Sequence, residues 1–320
     1  IEFVRIPSIS AGANRDEPVE IEKAADFLVN QFTRSNFTAD KIGMGASTNP
    51  IVIARGPQFS SNKPTVLFYG HYDVQGVDNP REAWLNDPFE GHMLDGQLIA
   101  RGASDNKGPT FANVKAAELT LKSTNELPYN IVFVIEGEEE CGSGALEAFI
   151  KGGGLNEYGP FICTVISDTS MYGPNQPSLT IGLRGISYME LTITGPSQDV
   201  HSGLFGGIIH NPNTVLIHAL ANLIDESGRI TVPGFYDGII DISDREKELY
   251  VSLSPDEDAY CRELGVSALR RSPDFTLLEQ RWTRPTLDIN YISGGSPRTV
   301  IPADAKGAIS ARLVPGQDPL

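Results

Sequence analysis

The sequence predicts an α/β protein in which a mostly parallel sheet with flanking helices is joined to a second, α+β domain. Apolar, β-branched runs alternate with segments of helical periodicity as far as residue 166, and this alternation is typical of a parallel sheet covered on both faces. After Pro177 the pattern changes, because residues 186–194 alternate apolar and polar side chains as a half-exposed antiparallel strand does. A chain of 320 residues exceeds the usual length of one domain. We therefore predict two domains, residues 1–180 and 181–320.

The first domain opens with a predicted helix over residues 18–37. Its apolar side chains recur at helical spacing: Ile21, Ala24, Ala25, Leu28 and Phe32. Short apolar runs predict strands at residues 51–54, 65–69, 130–135 and 161–166. Helices are predicted between them at residues 110–121 and 145–150.

The second domain is predicted to combine an antiparallel sheet with helices. Residues 214–224 form an amphipathic pattern, and the highly charged segment 243–284 is predicted to be helical. Residues 286–292 and 307–313 have the composition of strands. The sequence contains no internal repeat and no low-complexity tract.

Charge and cysteine usage restrict the class of protein. The formal net charge is −16, with 25 Lys and Arg against 41 acidic residues, which disfavours nucleic acid and anionic lipid as partners. No apolar stretch reaches membrane-spanning length. The first residues lack an initiator Met and do not resemble a signal peptide, so we expect that the start of the sequence is clipped. Cys141, Cys163 and Cys261 are an odd number and lack CxxC spacing. We therefore predict a cytoplasmic protein without a disulfide framework.

Acidic and imidazole side chains follow several of the predicted strands. His71 and Asp73 follow one strand, residues 138–140 are three glutamates after a second, and Asp168 follows a third. Asp105 lies in a glycine-bounded loop that opens a helix. Because loops at the carboxyl ends of strands converge in open α/β sheets, these ligands could meet at one point. Nitrogen and oxygen donors suit zinc, cobalt or manganese, and a two-metal site with a bridging carboxylate is plausible.

The spacing inside these clusters indicates that neighbouring residues have different roles. In His71-x-Asp73 the aspartate can accept the hydrogen bond from the ring nitrogen that is not on the metal. Of two adjacent glutamates, one can bind metal while its neighbour takes a proton from an activated water. The combination of clusters is far more specific than any one of them, since an isolated His-x-Asp is usually a surface turn.

The combined motifs resemble the M20 family of di-metal peptidases and amidohydrolases, in particular its cytosolic dipeptidase branch of carnosinase-like enzymes. The resemblance covers essentially the whole chain. The segments that carry it are residues 70–75, 84–89, 101–108, 136–143, 167–169, 199–203, 232–236 and 299–302.

The resemblance implies roles for the clustered residues in the first domain, which would be the catalytic, metal-binding one. His71 and Asp168 would hold one metal ion, Glu140 would hold the other, and Asp105 would bridge them. Glu139 would be the general base. Asp73 would orient His71, and the peptide bond after Asp105 would be cis, as is common in the family.

The second domain would be a lid that also forms a homodimer. The resemblance implies that His201 reaches into the partner subunit's site and stabilises the oxyanion. Thr299 and Arg312 match positions that bind the substrate backbone and its C-terminal carboxylate, and the forked donors of arginine suit a carboxylate. Family members continue beyond this point and supply a last histidine ligand, so we expect the chain to be a fragment.

The motifs and the resemblance together imply a metal-dependent hydrolase of dipeptides or short peptides, with two divalent ions per subunit, zinc first and manganese or cobalt as alternatives. An N-acyl amino-acid deacylase of the same family is the alternative enzyme, since it uses the same site on another acyl group. A non-catalytic subunit or interaction module that kept the fold is the alternative from another class. The intact set of acids and His71 argues against that last hypothesis.

Overall fold

The computed structural model describes residues 1–11, 18–79, 83–173, 176–253 and 255–319. The chain divides into two compact units, Ile1–Ser178 and Leu179–Leu320. The assignment of a catalytic role to the first part and of a lid and dimerisation role to the second stays a prediction. Within the described ranges, the helices are all too short or too polar to cross a membrane.

The first unit contains strands and helices that alternate along the chain. Its strands are β1 (Ile9–Ala11), β2 (Thr38–Ile42), β3 (Ile51–Arg55), β4 (Thr65–His71), β5 (Val74–Gln75), β6 (His92–Leu94), β7 (Gln97–Ile99), β8 (Asn130–Glu136) and β9 (Phe161–Ile166). Its α-helices are α1 (Pro18–Arg34), α2 (Lys107–Thr124) and α3 (Gly144–Lys151), and a short 3-10 turn covers Glu139–Cys141.

The main sheet of this unit has five strands in the order β2-β3-β8-β4-β9. Strand β4 runs parallel to both β8 and β9, whereas β3 is antiparallel to β2 and to β8. The three strands followed by the acidic clusters are therefore the parallel ones, and the antiparallel pairing is confined to the β2–β3 side. The predicted α/β class is confirmed.

Strand β8 is the centre of the core, and all of its residues are buried. Its alternate side chains point to opposite faces of the sheet, as the period of two requires. Ile131, Phe133 and Ile135 pack with the apolar face of α1, which includes Leu28 and Phe32. On the other face, Val132 and Val134 pack with Ala145, Leu146 and Phe149 of α3. Helices thus cover both faces of the sheet, and the helical spacing of apolar residues correctly predicts the buried side of α1.

The second unit is built on a three-stranded antiparallel sheet in the order β10-β14-β12. Its strands are β10 (Gly185–Thr194), β11 (Val200–His201), β12 (Thr286–Ser293), β13 (Val300–Ile301) and β14 (Asp304–Leu313). Its helices are α4 (Ser202–Phe205), α5 (Pro212–Ala221), α6 (Asp244–Ser252), α7 (Glu257–Leu264) and α8 (Leu277–Trp282). Helix α5 covers one face of the sheet, where Leu216 and Leu220 pack with Ala305 and Ile309.

A buried carboxylate ties α1 to α2 in the first unit. Glu118 is only 7% exposed, and it accepts hydrogen bonds from Lys115 Nζ at 2.7 Å, Lys122 Nζ at 2.5 Å and Gln31 Nε2 at 2.9 Å. The bonds from the two lysines lower the pKa of Glu118 from 4.5 to about 2. Since the folded state prefers the ionised carboxylate, this group stabilises the fold at neutral pH.

We expect Glu118→Gln to lower the free energy of unfolding at pH 7 by about 1 kcal/mol, because charge-assisted hydrogen bonds to a buried carboxylate are replaced by neutral ones. A carboxyl group whose pKa is lower in the folded state stabilises the fold at pH values above its unfolded-state pKa. The difference in unfolding free energy between wild type and Glu118→Gln should therefore shrink as the pH falls from 4.5 towards 2. Urea unfolding of both proteins over this pH range measures the difference. Glu147→Gln is the control, since Glu147 forms an exposed ion pair with Lys151; an equal loss of stability in the control would contradict the assignment.

Candidate metal centre

The ends of three parallel strands bring the acidic clusters to one edge of the main sheet. His71 is the last residue of β4 and pairs with Glu136, the last residue of β8. Asp168 follows the end of β9, and Asp105 directly precedes Asn106, the residue that caps α2. The chain therefore converges on this edge as the carboxyl-end rule for parallel strands predicts.

His71 lies at the centre of the cluster, and its side chain is fully buried. Its Nε2 atom is 3.1 Å from Asp105 Oδ1, 3.6 Å from Asp168 Oδ2 and 3.9 Å from Glu139 Oε2. Among the described residues, none makes a hydrogen bond of good geometry to this nitrogen. One ligand atom each from His71, Asp105 and Asp168 lies within 4.8 Å of the others. A nitrogen and several carboxylate oxygens converging on one point fit a divalent cation.

The electrostatics of the cluster favour a positive charge at its centre. Burial alone would lower the pKa of His71, but Asp168 and Asp73 outweigh burial and raise this pKa to about 11. His71 in turn lowers the pKa of Asp168. Without a cation, the imidazole thus holds a proton that compensates the surrounding carboxylates; a metal ion at Nε2 would replace that proton.

Asp73 fixes the orientation of the imidazole. His71 Nδ1 lies 3.1 Å from the carbonyl oxygen of Asp73 and 3.3 Å from its Oδ1. Both of these atoms are acceptors, so Nδ1 carries the hydrogen and Nε2 is directed towards the cluster. The Asp73 carboxylate also accepts from the backbone N–H groups of Glu139 at 3.3 Å and Glu140 at 3.1 Å. One carboxylate therefore links the loop after β4 to the loop after β8.

The three consecutive glutamates have different surroundings. Glu138 is buried, and its two oxygens accept from Asn49 N and Ala145 N, each at 2.8 Å, so it anchors its loop to the start of α3. The Glu139 carboxylate lies 3.9 Å from His71 Nε2, and burial raises the pKa of both Glu139 and Glu140. Glu140 Oε2 accepts from Gln75 Nε2 at 2.8 Å and is outside the group of three residues closest to one another.

The N-terminal segment, residues 3–11, also contacts Asp73 and its surroundings. The buried Ser10 hydroxyl donates to Asp73 Oδ2, and β1 pairs in parallel with β5 beside it. Lys107, also buried, donates from Nζ to Ile6 O at 2.5 Å and Phe3 O at 3.3 Å. Burial lowers the pKa of Lys107 to about 7. This segment shields Asp73 from water, a function that the sequence analysis did not assign to it.

Two glycines are required by close packing next to the site. A Cβ atom on Gly70 would overlap the Thr110 hydroxyl, and one on Gly137 would overlap the Tyr72 ring, whose hydroxyl donates to Pro50 O at 2.6 Å. The Asp105–Asn106 peptide bond is cis, as the resemblance implies. Asn106 itself contacts both His71 and Asp168; the sequence analysis quoted its motif but gave it no role.

The other predicted site residues lie in the second unit. His201 is exposed and caps α4, where its Nδ1 accepts from Gly203 N at 3.0 Å. Thr299 is adjacent, since its carbonyl oxygen accepts from Ser202 N at 3.0 Å and Ser202 Oγ at 2.9 Å. Arg312 is exposed on β14, opposite Ile186 and Thr286. The roles expected for these three residues remain predictions.

Comparisons with known proteins show what the chain is similar to. A family model described as Peptidase family M20/M25/M40 matches residues 67–307. The chain is 38% identical over 281 residues to the Beta-Ala-His dipeptidase of Rattus norvegicus, covering 87% of this chain and 57% of that protein. It is 34% identical over 329 residues to a Cys-Gly metallodipeptidase of Schizosaccharomyces pombe, covering 98% of this chain and 68% of that protein.

Solved structures show the same fold. An M20 family metallo-carboxypeptidase from Sulfolobus solfataricus matches with a TM-score of 0.85 at 30% identity, covering 99% of this chain and 71% of that chain. The chain thus spans 57% of the rat dipeptidase and 71% of the Sulfolobus enzyme.

We expect Asp73→Asn to weaken zinc binding by about 10- to 100-fold, because it removes the charged acceptor that orients His71 and holds the loop of Glu139 and Glu140. Competition with a chromophoric chelator measures the affinity. Asp40→Asn, an exposed change on β2 in the same unit, should leave it unchanged. Equal zinc affinity in wild type and Asp73→Asn would contradict the orienting role.

Proposed function

The chain belongs to peptidase family M20/M25/M40, and on that premise we propose that the protein is a metal-dependent dipeptidase. The observation that carries the proposal is the buried His71 Nε2 atom, which faces three carboxylates within 3.9 Å. A site for a cation lies next to Glu139, a carboxyl group able to move a proton. That pairing is what hydrolysis of an amide by an activated water needs.

Two divalent ions are proposed as cofactors, zinc in the first place. His71 and Asp168 would hold one ion, Glu140 would hold the other, and Asp105 would bridge them. The 3.1 Å separation of His71 Nε2 and Asp105 Oδ1 supports a shared ion between these two residues. When bound, such ions supply Lewis acidity towards the scissile carbonyl and lower the pKa of water.

Glu139 is proposed as the general base. Burial raises its pKa, which moves the carboxyl towards the range in which it can both accept and return a proton near neutral pH. Glu139 would accept a proton as water oxygen bonds to the carbonyl carbon, and would donate it to the leaving amine as the C–N bond breaks. The bond from Glu139 N to the carboxylate of Asp73 holds its loop in place for this transfer.

The proposed substrates are dipeptides or short peptides. Two relatives are named for the dipeptides Beta-Ala-His and Cys-Gly, and both are at least 34% identical to this chain. Thr299 and Arg312 would bind the backbone and the C-terminal carboxylate. The guanidinium of Arg312 is exposed on β14, which leaves it accessible to a carboxylate.

A homodimer formed by the second unit is also proposed, with His201 of one copy stabilising the oxyanion in the other. His201 is exposed, and its Nδ1 accepts a hydrogen bond from Gly203 N. Its Nε2 is therefore directed away from its own turn and can donate when it carries the hydrogen. We further propose a cytoplasmic location, which the odd number of cysteines and their lack of CxxC spacing support.

Replacing Glu139 by alanine should lower kcat on dipeptides by about 10²- to 10⁴-fold while zinc affinity stays within a few-fold of wild type. The assay is hydrolysis of Beta-Ala-His, Cys-Gly and a panel of N-acyl amino acids by the product of the complete open reading frame, before and after chelation and with zinc or manganese restored. Glu147→Ala, on the exposed face of α3, is the control. Undiminished turnover in Glu139→Ala would remove it as the base, and deacylation without dipeptide cleavage would make the protein a deacylase.

Complementation tests the dimer. His201→Ala and Glu139→Ala chains should each be nearly inactive, but random mixing should restore about one quarter of wild-type activity. Half of the dimers would then be mixed, and each mixed dimer would contain one complete site. Activity that stays at the level of the separate variants would mean that His201 acts within its own chain or has no role.

A further inference from the structure

Asn106 connects the loops of two proposed metal ligands. The residue is 1% exposed and stands in the chain between Asp105 and the first residue of α2. Its Nδ2 atom donates to Asp168 Oδ1 at 2.9 Å and to Ser167 O at 3.1 Å. The amide therefore contacts the loop after β9 through both of its N–H groups.

The other end of the same amide is also fixed. Asn106 Oδ1 accepts from the Thr110 hydroxyl and from the backbone N of His71 at 3.4 Å. The backbone N of His71 can only donate, and both partners of Nδ2 can only accept. Rotating the amide by half a turn would therefore oppose like groups at three contacts, the Thr110 hydroxyl being able to accept as well as donate. The absence of a side chain at Gly70 makes room for this arrangement, since a Cβ there would press on Thr110 and Asn106.

The two oxygens of Asp168 consequently have different partners. Oδ1 is bound to Asn106 Nδ2, whereas Oδ2 is 3.6 Å from His71 Nε2. Turning the carboxylate so that both oxygens approach one ion would stretch or break the bond to Asn106. Because Asn106 is locked at its own oxygen, it cannot follow such a rotation.

We propose that Asn106 is a positioning residue that restricts Asp168 to binding its metal ion through one oxygen, and thereby favours zinc over manganese at this site. The inference rests on the proposed metal-dependent function and adds a determinant of metal preference to it. Zinc is satisfied by four ligands, whereas manganese prefers an octahedral set rich in oxygen. A carboxylate held to one oxygen supplies one ligand fewer than a chelating one.

The test is the ratio of zinc to manganese affinity in wild type and Asn106→Leu, a change of similar size that lacks the amide. We expect the ratio to fall at least about tenfold, because Asp168 gains freedom to bind through both oxygens. Asn113→Leu is the matched control: Asn113 lies on α2 and donates to Ser167 Oγ at 2.9 Å, a hydrogen bond to the same loop that does not involve Asp168. A ratio that is unchanged, with both affinities equal to wild type or equally reduced, would overturn the proposal, since a purely structural role weakens both ions alike.

A second measurement does not depend on the folding of Asn106→Leu. In crystals of the zinc-loaded wild-type protein, Asp168 Oδ2 should lie about 2.0–2.2 Å from an ion, with Oδ1 still on Asn106 Nδ2. Two oxygens of Asp168 at bonding distance from one ion would contradict the inference and leave the proposed function intact. A wild-type protein that binds neither zinc nor manganese would contradict both.

Discussion

The buried imidazole of His71 is the constraint on which the site depends. It has no exposed surface and faces oxygens of Asp105, Asp168 and Glu139 within 3.9 Å. Carboxylates held this close destabilise one another unless a cation lies between them. In the metal-free protein the protonated imidazole of His71 is that cation, because Asp168 and Asp73 raise its pKa to about 11. A divalent ion would provide twice the charge at the same nitrogen, which makes binding chemically consistent with the surroundings.

The fold delivers these groups by ending three parallel strands at one edge. The core formed by β8 and its neighbours fixes where each strand ends, because its side chains are buried between α1 and α3. Hydrogen bonds between loops then set the positions of the side chains. Asp73 joins the loop after β4 to the glutamates, and Asn106 joins the start of α2 to Asp168. The site is thus held by a network whose members need not touch a substrate.

Much of this arrangement could be predicted from the sequence. The spacing of apolar residues predicts α1, and the order of the clusters predicts that His71, Asp105 and Asp168 lie together, as they do. The supporting contacts could not be predicted, because they join residues far apart in the chain: Asn106 is 62 residues from Asp168. Nor does local sequence distinguish Glu138 from its neighbours, since only the positions of Asn49 and Ala145 make it an anchor.

The zinc content of the protein at equilibrium tests the central claim, that the converging loops form a two-metal site, most directly. After dialysis of the product of the complete open reading frame at micromolar free zinc, elemental mass spectrometry should find about two zinc ions per wild-type chain. Asp105→Ala should retain fewer than one, because Asp105 is the proposed shared ligand. Wild-type protein without zinc, or Asp105→Ala with the full complement, would contradict the account.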